Sequence, residues 1–285
     1  MAVFDSFLFY NELEVLEMRL NILNDVVDYF ILSESPTTLA GEPTPLLYLE
    51  NKERFSKFNH KIIHNVTQIS SDFSEYLQPK QYHTNLNDID PNCGMRYIDI
   101  PLRYQRMLYV RNCTVYGLLK AGVSDDDIVL TSDGDEIINP LILENLDWFD
   151  SNNHYVAIQR AFYYSLNQLY QEEWMGTRLC NWKYLKQTSI DKLRSDHPNA
   201  YCIQDGGWHF SFFGDANKAR EKIAAYDNCH LNVPEVTDNM EEKIKNNMDP
   251  LNRSNVLSVV PIDDSYPEYI LKNQEKYADY IRPWN

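Results

Sequence analysis

Apolar side chains cluster along this chain in short runs separated by stretches of helical spacing, and the order of the two predicts its elements. Val3 to Phe9 is a brief apolar run of aromatic and branched residues, which predicts a first strand. Leu13, Leu16, Leu20 and Leu23 then recur at helical spacing, with Asn11 placed to cap that helix. Val26 to Leu32 returns to a continuous apolar run and predicts a second buried strand, closing in Ser33-Glu34-Ser35-Pro36. Ile62 and Ile63 mark a short third strand. Strand, helix, strand in that order predicts an α/β fold, a mainly parallel sheet flanked by helices.

From about Ser70 to Cys93 the pattern becomes polar and carries Pro79 and Pro91, which predicts a long loop of the kind that often serves function. Asp99 and Pro101 supply a cap and first-turn signal for a long helix through Leu119, which bears Arg103, Arg106 and Arg111. Asp127 to Thr131 is an apolar strand that runs straight into Ser132-Asp133-Gly134-Asp135-Glu136, and Asn139-Pro140 opens a further helix. Tyr155 to Ile158 and the Tyr163-Tyr164 region predict more strands, Gly206-Gly207-Trp208-His209 a strand-to-loop junction, and Asp215 a cap for a helix to Tyr226. Beyond Asn232 the chain is polar and partly helical. The expected organisation is a catalytic domain over 1–232, with 233–285 as a C-terminal extension packed on it.

Composition narrows the function. With 44% hydrophobic and 24% charged residues over 285 positions, the chain is an ordinary globular protein with enough length for a sizeable core. A formal charge of −16 argues against a nucleic-acid binder, which needs a basic stripe. It leaves room for a nucleotide ligand, because a divalent cation inverts the local field. Twenty tyrosines suit sugar binding, or reflect a compositional bias of the source. Five cysteines without a CxxC pair read as reduced thiols in a cytoplasmic protein. No segment is apolar and long enough to span a bilayer.

The residues of chemical interest are few. Asp133 and Asp135 follow a buried strand, where ligand crevices form in open α/β sheets, and two carboxylates around Gly134 can face one hard cation, Mn²⁺ or Mg²⁺. The alternative is an acidic surface turn. Trp208 offers a stacking face for a sugar or a core side chain, and His209 a metal or phosphate ligand or a structural histidine. Lys222 and His230 could neutralise a diphosphate or simply be solvated; Arg106 could clamp a phosphate or form a helix-surface ion pair.

Taken in order, these segments resemble glycosyltransferase family 17. The opening Phe4 to Glu14 with Glu17, Arg19 and Leu20 is similar to that family's first block, and Val27 to Ser35 with Thr38 and Gly41 to its second. Gln105-Arg106, Asp127 to Ile137 and Gly207 to Gly214 follow, with Lys222 and His230 where the family has a lysine and a histidine. The family is typified by the N-acetylglucosaminyltransferase that adds the bisecting residue to N-glycans. The resemblance implies a GT-A-like fold, a UDP-sugar donor (UDP-GlcNAc in the typifying enzyme), a glycan acceptor, a divalent metal and inversion at the anomeric carbon. On that basis Asp135 is expected to bind the metal, with Asp133 assisting or contacting the ribose. Glu34 and Ser35 would hold the nucleoside side, and Arg106, Trp208, His209, Lys222 and His230 the diphosphate and sugar. Asp205, beside the Gly-Gly-Trp-His turn, is expected either as the base, with Glu173 and Asp215 as weaker candidates, or as a turn residue bonding its own backbone. Two rival readings of the acidic loop are a haloacid-dehalogenase-type phosphohydrolase, with Asp133 as nucleophile, and a carbohydrate- or calcium-binding module without catalysis.

Overall fold

A computed structural model describes residues 1–69, 101–195 and 199–284. The expected loop over 70–93 and the Asp99 cap lie outside the described residues. The first half is β1 (Val3–Leu8), α1 (Leu13–Leu23), β2 (Tyr29–Glu34), β3 (Ile62–Val66), α2 (Leu102–Lys120) and β4 (Ile128–Asp133). Its four strands lie in the order β3-β2-β1-β4, all parallel, with Ser6 between Ile31 and Thr131.

The strand period explains why helices cover both faces. Phe30 and Leu32 of β2 turn to one side and join Phe7, Leu16 and Leu20 in a cluster under α1. Ile31 turns to the other and packs with Phe4, Val115, Leu118 and Val129 under α2. Gly117 of α2 lets that helix sit close, since a Cβ there would fall 2.2 Å from Ile31 Cγ2. Strand β2 starts three residues after the apolar run does. Asp28 explains the delay: its carboxylate accepts the Val3 N–H at 2.8 Å and its own N–H donates to Val3 O at 2.9 Å, fixing a turn before the strand. Asn11 does not cap α1. Glu12 occupies that position, and the Asn11 amide donates instead to Glu221 at 3.0 Å.

The second half adds β5 (Glu136–Ile138), β6 (Tyr155–Tyr163), β7 (Gln168–Asn181), α3 (Ile190–Ser195), β8 (Tyr201–Ile203), β9 (Gly207–Ser211), α4 (Ala216–Ala225) and β10 (Ser258–Val259). The sheet continues β4-β7-β6-β9-β5, with β7 antiparallel to β4 and to β6, and β9 parallel to β6. Strand β9 therefore runs in the direction of β4. The long β7 has no clear apolar period, because Gln171-Glu172-Glu173 interrupts it and its register against β6 shifts three times. Asp215 caps α4 as expected, accepting the Lys218 N–H at 2.9 Å.

Residues beyond 232 enter the same interior. Leu251 and Leu257 pack with Tyr163, Tyr164 and Phe212, Tyr266 and Ile270 join the main cluster, and β10 pairs with β7. The four described cysteines are free, Cys113 and Cys180 of them buried. Among the described residues no helix is long and apolar enough to cross a membrane.

Candidate active site

Strand β4 ends at Asp133 and β5 begins at Glu136, so Gly134 and Asp135 alone carry the chain through a reversal of direction. The turn lies against the end of β1: a Cβ on Gly134 would sit 2.4 Å from Leu8 O, which leaves glycine as the residue that fits. Arg19 of α1 fixes the turn from beneath. Its guanidinium donates to Glu136 O at 2.7 Å, Asp133 O at 3.3 Å and Ser132 Oγ at 2.6 Å, while a second edge is paired with Asp5 at 2.5 and 2.7 Å. Neither Arg19 nor Asp5 is exposed. A buried ion pair of this kind tolerates little change, because removing one member strands the other charge.

Each acidic side chain of the turn has its own cations. Asp133 accepts two hydrogen bonds from Arg111 of α2, at 3.1 and 2.7 Å, and one from Arg194 of α3 at 3.2 Å. Burial acts to raise its pKa, but the charges of Arg111 and Arg194 outweigh it and hold the carboxyl at about 2. Glu136 is fully buried and accepts from Arg194 at 2.8 and 2.9 Å, Trp174 Nε1 at 2.9 Å and the Asp133 N–H at 3.0 Å. Asp135 accepts from Lys222 Nζ of α4 at 2.5 Å and lies 3.3 Å from His209 Nε2. Burial opposes its ionisation, yet Lys222 and His209 hold it well below the ordinary carboxylate range. Lys222 also reaches Glu12 at 3.4 Å; burial works against its charge and the two carboxylates push its pKa upward.

The alternation of β9 decides what else faces this turn. His209 and Ser211 look into a cavity of about 220 Å³ that Asp133 and Asp135 also line, whereas Trp208 and Phe210 point into the core. Arg111, Arg194, Lys222, Asp227 and Arg253 complete the polar wall. A smaller recess at the ends of β1 and β2, lined by Ser33, Glu34 and Ser35, shares Leu8, Leu39 and Tyr226 with it.

The profile of glycosyltransferase family 17 matches residues 1–100 and 103–280, nearly the whole length. The chain belongs to glycosyltransferase family 17. Membership makes this chain a transferase of glycosyl groups, in place of the phosphohydrolase and binding-module readings. No relative was found among curated proteins. Among solved structures the transferase matches the inositol-1-phosphate CTP transferase from T. maritima at 12% identity, covering 87% of this chain and 97% of that one with a TM-score of 0.33. A superposition that loose carries no argument about this site.

Of the residues expected from sequence, the fold brings Asp133, Asp135, His209 and Lys222 of the glycosyltransferase into one cavity. Others fall elsewhere for identifiable reasons. Asp205 precedes β9, and since β9 runs parallel to β4 it stands at the opposite end of the sheet from Asp133. It is exposed, in a left-handed conformation (φ 50°), with its carbonyl accepting from Asn139 at 3.0 Å. Trp208 is buried and donates its indole N–H to Ser265 O at 3.2 Å. Arg106 is occupied with the carbonyls of Leu39 and Ala40, at 3.0 and 2.9 Å, and buttresses that turn. His230 is exposed on a short 3-10 turn, Glu173 is exposed on β7, and Asp215 is a helix cap. Glu34 lines the smaller recess, but both its oxygens are engaged, by the Tyr48 N–H and by His64 at 2.7 Å each. Ser35 accepts the Thr37 N–H at 3.1 Å.

Sequence reasoning gave no site role to Arg19, Arg111, Arg194, Glu136, Asp227 or Arg253. Arg111 carried the clearest signal, four positions after Met107 on the same helix face, and both line the cavity.

Proposed function

We propose that this glycosyltransferase moves a hexose, with N-acetylglucosamine the first candidate, from a UDP-sugar to a glycan hydroxyl with inversion, on a GT-A-like fold that uses a divalent cation. The observation that carries the reading is the cavity after β4, where two carboxylates kept ionised stand among four cationic side chains, Arg111, Arg194, Lys222 and Arg253. That combination suits a diphosphate better than a neutral ligand, since its cations match phosphate charge and its carboxylates match a bridging metal.

The donor set fits Mn²⁺ or Mg²⁺ on chemical grounds. Such ions are commonly held by one or two carboxylates plus substrate phosphate oxygens, so the lack of a three-ligand cluster among the described residues is no obstacle. Asp135 and Asp133 would hold it, and the ion would supply positive charge to the departing diphosphate. His209, whose buried Nδ1 has no hydrogen-bond partner among the described residues, stands beside Asp135 and packs against Trp174 at a ring separation of 4.6 Å.

The chain's own groups account for the rest. The recess by Ser33 and Ser35 takes the nucleoside side, at the carboxyl ends of β1 and β2. Lys222 sits within the cavity to draw the diphosphate toward Asp135. The base must be a carboxylate that binds a proton readily. Asp133 and Asp135 are held below their normal range, whereas burial pushes Asp227 upward despite Arg111. Asp227 therefore takes the proton from the acceptor hydroxyl as the new carbon–oxygen bond forms. The bond from the anomeric carbon to the diphosphate breaks, and its electron pair leaves with UDP.

Release of UDP from a panel of UDP-sugars, with and without Mn²⁺ and glycan acceptors, tests the function. Turnover of one donor, stimulated by an acceptor, supports it; a panel with no turnover overturns it. For the base, Asp227→Asn should lower kcat about 10²-fold with UDP affinity kept, and an unchanged kcat removes Asp227 from the mechanism.

A further inference from the structure

The cavity's fourth cation comes from a part of the chain that the motif reading left out. Arg253 lies beyond residue 232, between Asn252 and Ser254, both left-handed (φ 57° and 63°). Its Nε donates to Asp249 at 2.9 and 3.2 Å, its Nη2 donates to Tyr163 Oη at 3.0 Å and pairs with Asp249 at 2.8 Å. The guanidinium also lies over the rings of Tyr163 and Tyr170, which are stacked 4.3 Å apart. Asp249 is itself buried and held by the Leu251 N–H at 2.7 Å. Four contacts thus hold one edge of the guanidinium, and among the described residues no hydrogen bond engages Nη1.

This mount differs from those of the other cations. Arg111 and Arg194 are committed to Asp133 and Glu136, and Lys222 to Asp135 and Glu12. Those cations are already paired with Asp133, Asp135, Glu136 and Glu12, so little of their charge is left over for a diphosphate. Arg253 is the cavity cation whose carboxylate partner, Asp249, does not line the cavity. Its position is also informative. The nucleoside recess adjoins β1 and β2, while Arg253 stands on Tyr163 of β6, in the other half of the sheet.

We infer that Arg253 binds the sugar-linked phosphate of the donor, so that the segment after residue 232 forms part of the donor site. The assignment rests on the UDP-sugar reading above. A preorganised guanidinium presents the two N–H donors of Nη1 to phosphate oxygens at little entropic cost, and its charge stabilises the diphosphate as the sugar is transferred.

Calorimetric titration of UDP and UMP, with Mn²⁺ present, into the full-length chain and its Arg253→Gln and Arg253→Lys variants tests this, with thermal melts to confirm folding. Arg253→Gln should weaken UDP binding tenfold or more and change UMP binding less than twofold. Arg253→Lys, which keeps the charge without the fork, should fall between. Unchanged UDP affinity in Arg253→Gln overturns the assignment, as does an equal loss for UMP and UDP. If wild type binds UMP and UDP alike in the nucleoside recess, Arg253 has no phosphate role. If wild type binds neither, the donor reading fails first and takes this assignment with it.

Discussion

The two halves of the sheet behave differently. The half from β3 to β4 is parallel, sandwiched between α1 and α2, and its strands are continuous apolar runs. The half from β7 to β5 is mixed, and its longest strand contains Gln171, Glu172 and Glu173. The first half contributes Asp133 at the end of β4 and Arg111 of α2, and the second contributes His209, Arg194, Lys222 and Arg253. The comparison teaches that the well-buried half fixes where the crevice opens, while the irregular half supplies most of the cations that face it.

Four changes sharpen or break that contrast, from the largest effect down. Asp135→Ala should lower transfer by on the order of 10³-fold, and near-normal turnover would separate the turn from the chemistry. In the first half, Arg19→Met leaves Asp5 buried without its partner and should cost about 3–5 kcal/mol in urea unfolding. Adding Asp5→Leu should recover most of that stability without restoring transfer, because the carbonyls of Asp133 and Glu136 would still lack their donor. If the double variant regains activity, Arg19 does not position the turn.

The third change is in pH. Asp133, Asp135 and Glu136 all have folded pKa values below their unfolded ones, so their stabilisation is complete above about pH 4.5 and is lost as pH falls through the folded values. Asp133 alone, at about 2 in the fold, should account for about 2 kcal/mol. An unfolding free energy flat between pH 5 and about 2 would contradict those pairings. The smallest effects belong to the far end of β9. Trp208→Phe should cost about 1 kcal/mol through its lost hydrogen bond to Ser265, and Asp205→Asn should leave kcat within about twofold, as expected for an exposed surface position. A large loss of turnover in either would mean that the working crevice lies at the opposite end of the sheet.

The parallel half was legible in the sequence because its strands are buried on both faces and need apolar residues at nearly every position. The acidic turn was legible for the same reason: an apolar strand that stops at charged residues marks a crevice. What could not be read was direction. Gly206-Gly207-Trp208-His209 announced a strand near the site, yet only its pairing with β6 shows that Ser211 lies at the site end and Asp205 at the other. Alternation likewise separates Trp208 from His209, but the facing assignment depends on what covers each side. Arg111, Arg194 and Arg253 were hidden because an arginine in sequence looks the same whether it is solvated or pinned to a buried carboxylate.

The central claim is that a nucleoside diphosphate occupies the cavity between the β4 turn and β9. A crystal structure of the chain with UDP and Mn²⁺ tests it most directly. The account predicts the uridine beside Ser33 and Ser35 and the diphosphate within reach of Asp135, Lys222 and Arg253. Nucleotide bound instead in the cleft beside Asn139 and Ser265, at the other end of the sheet, would contradict it.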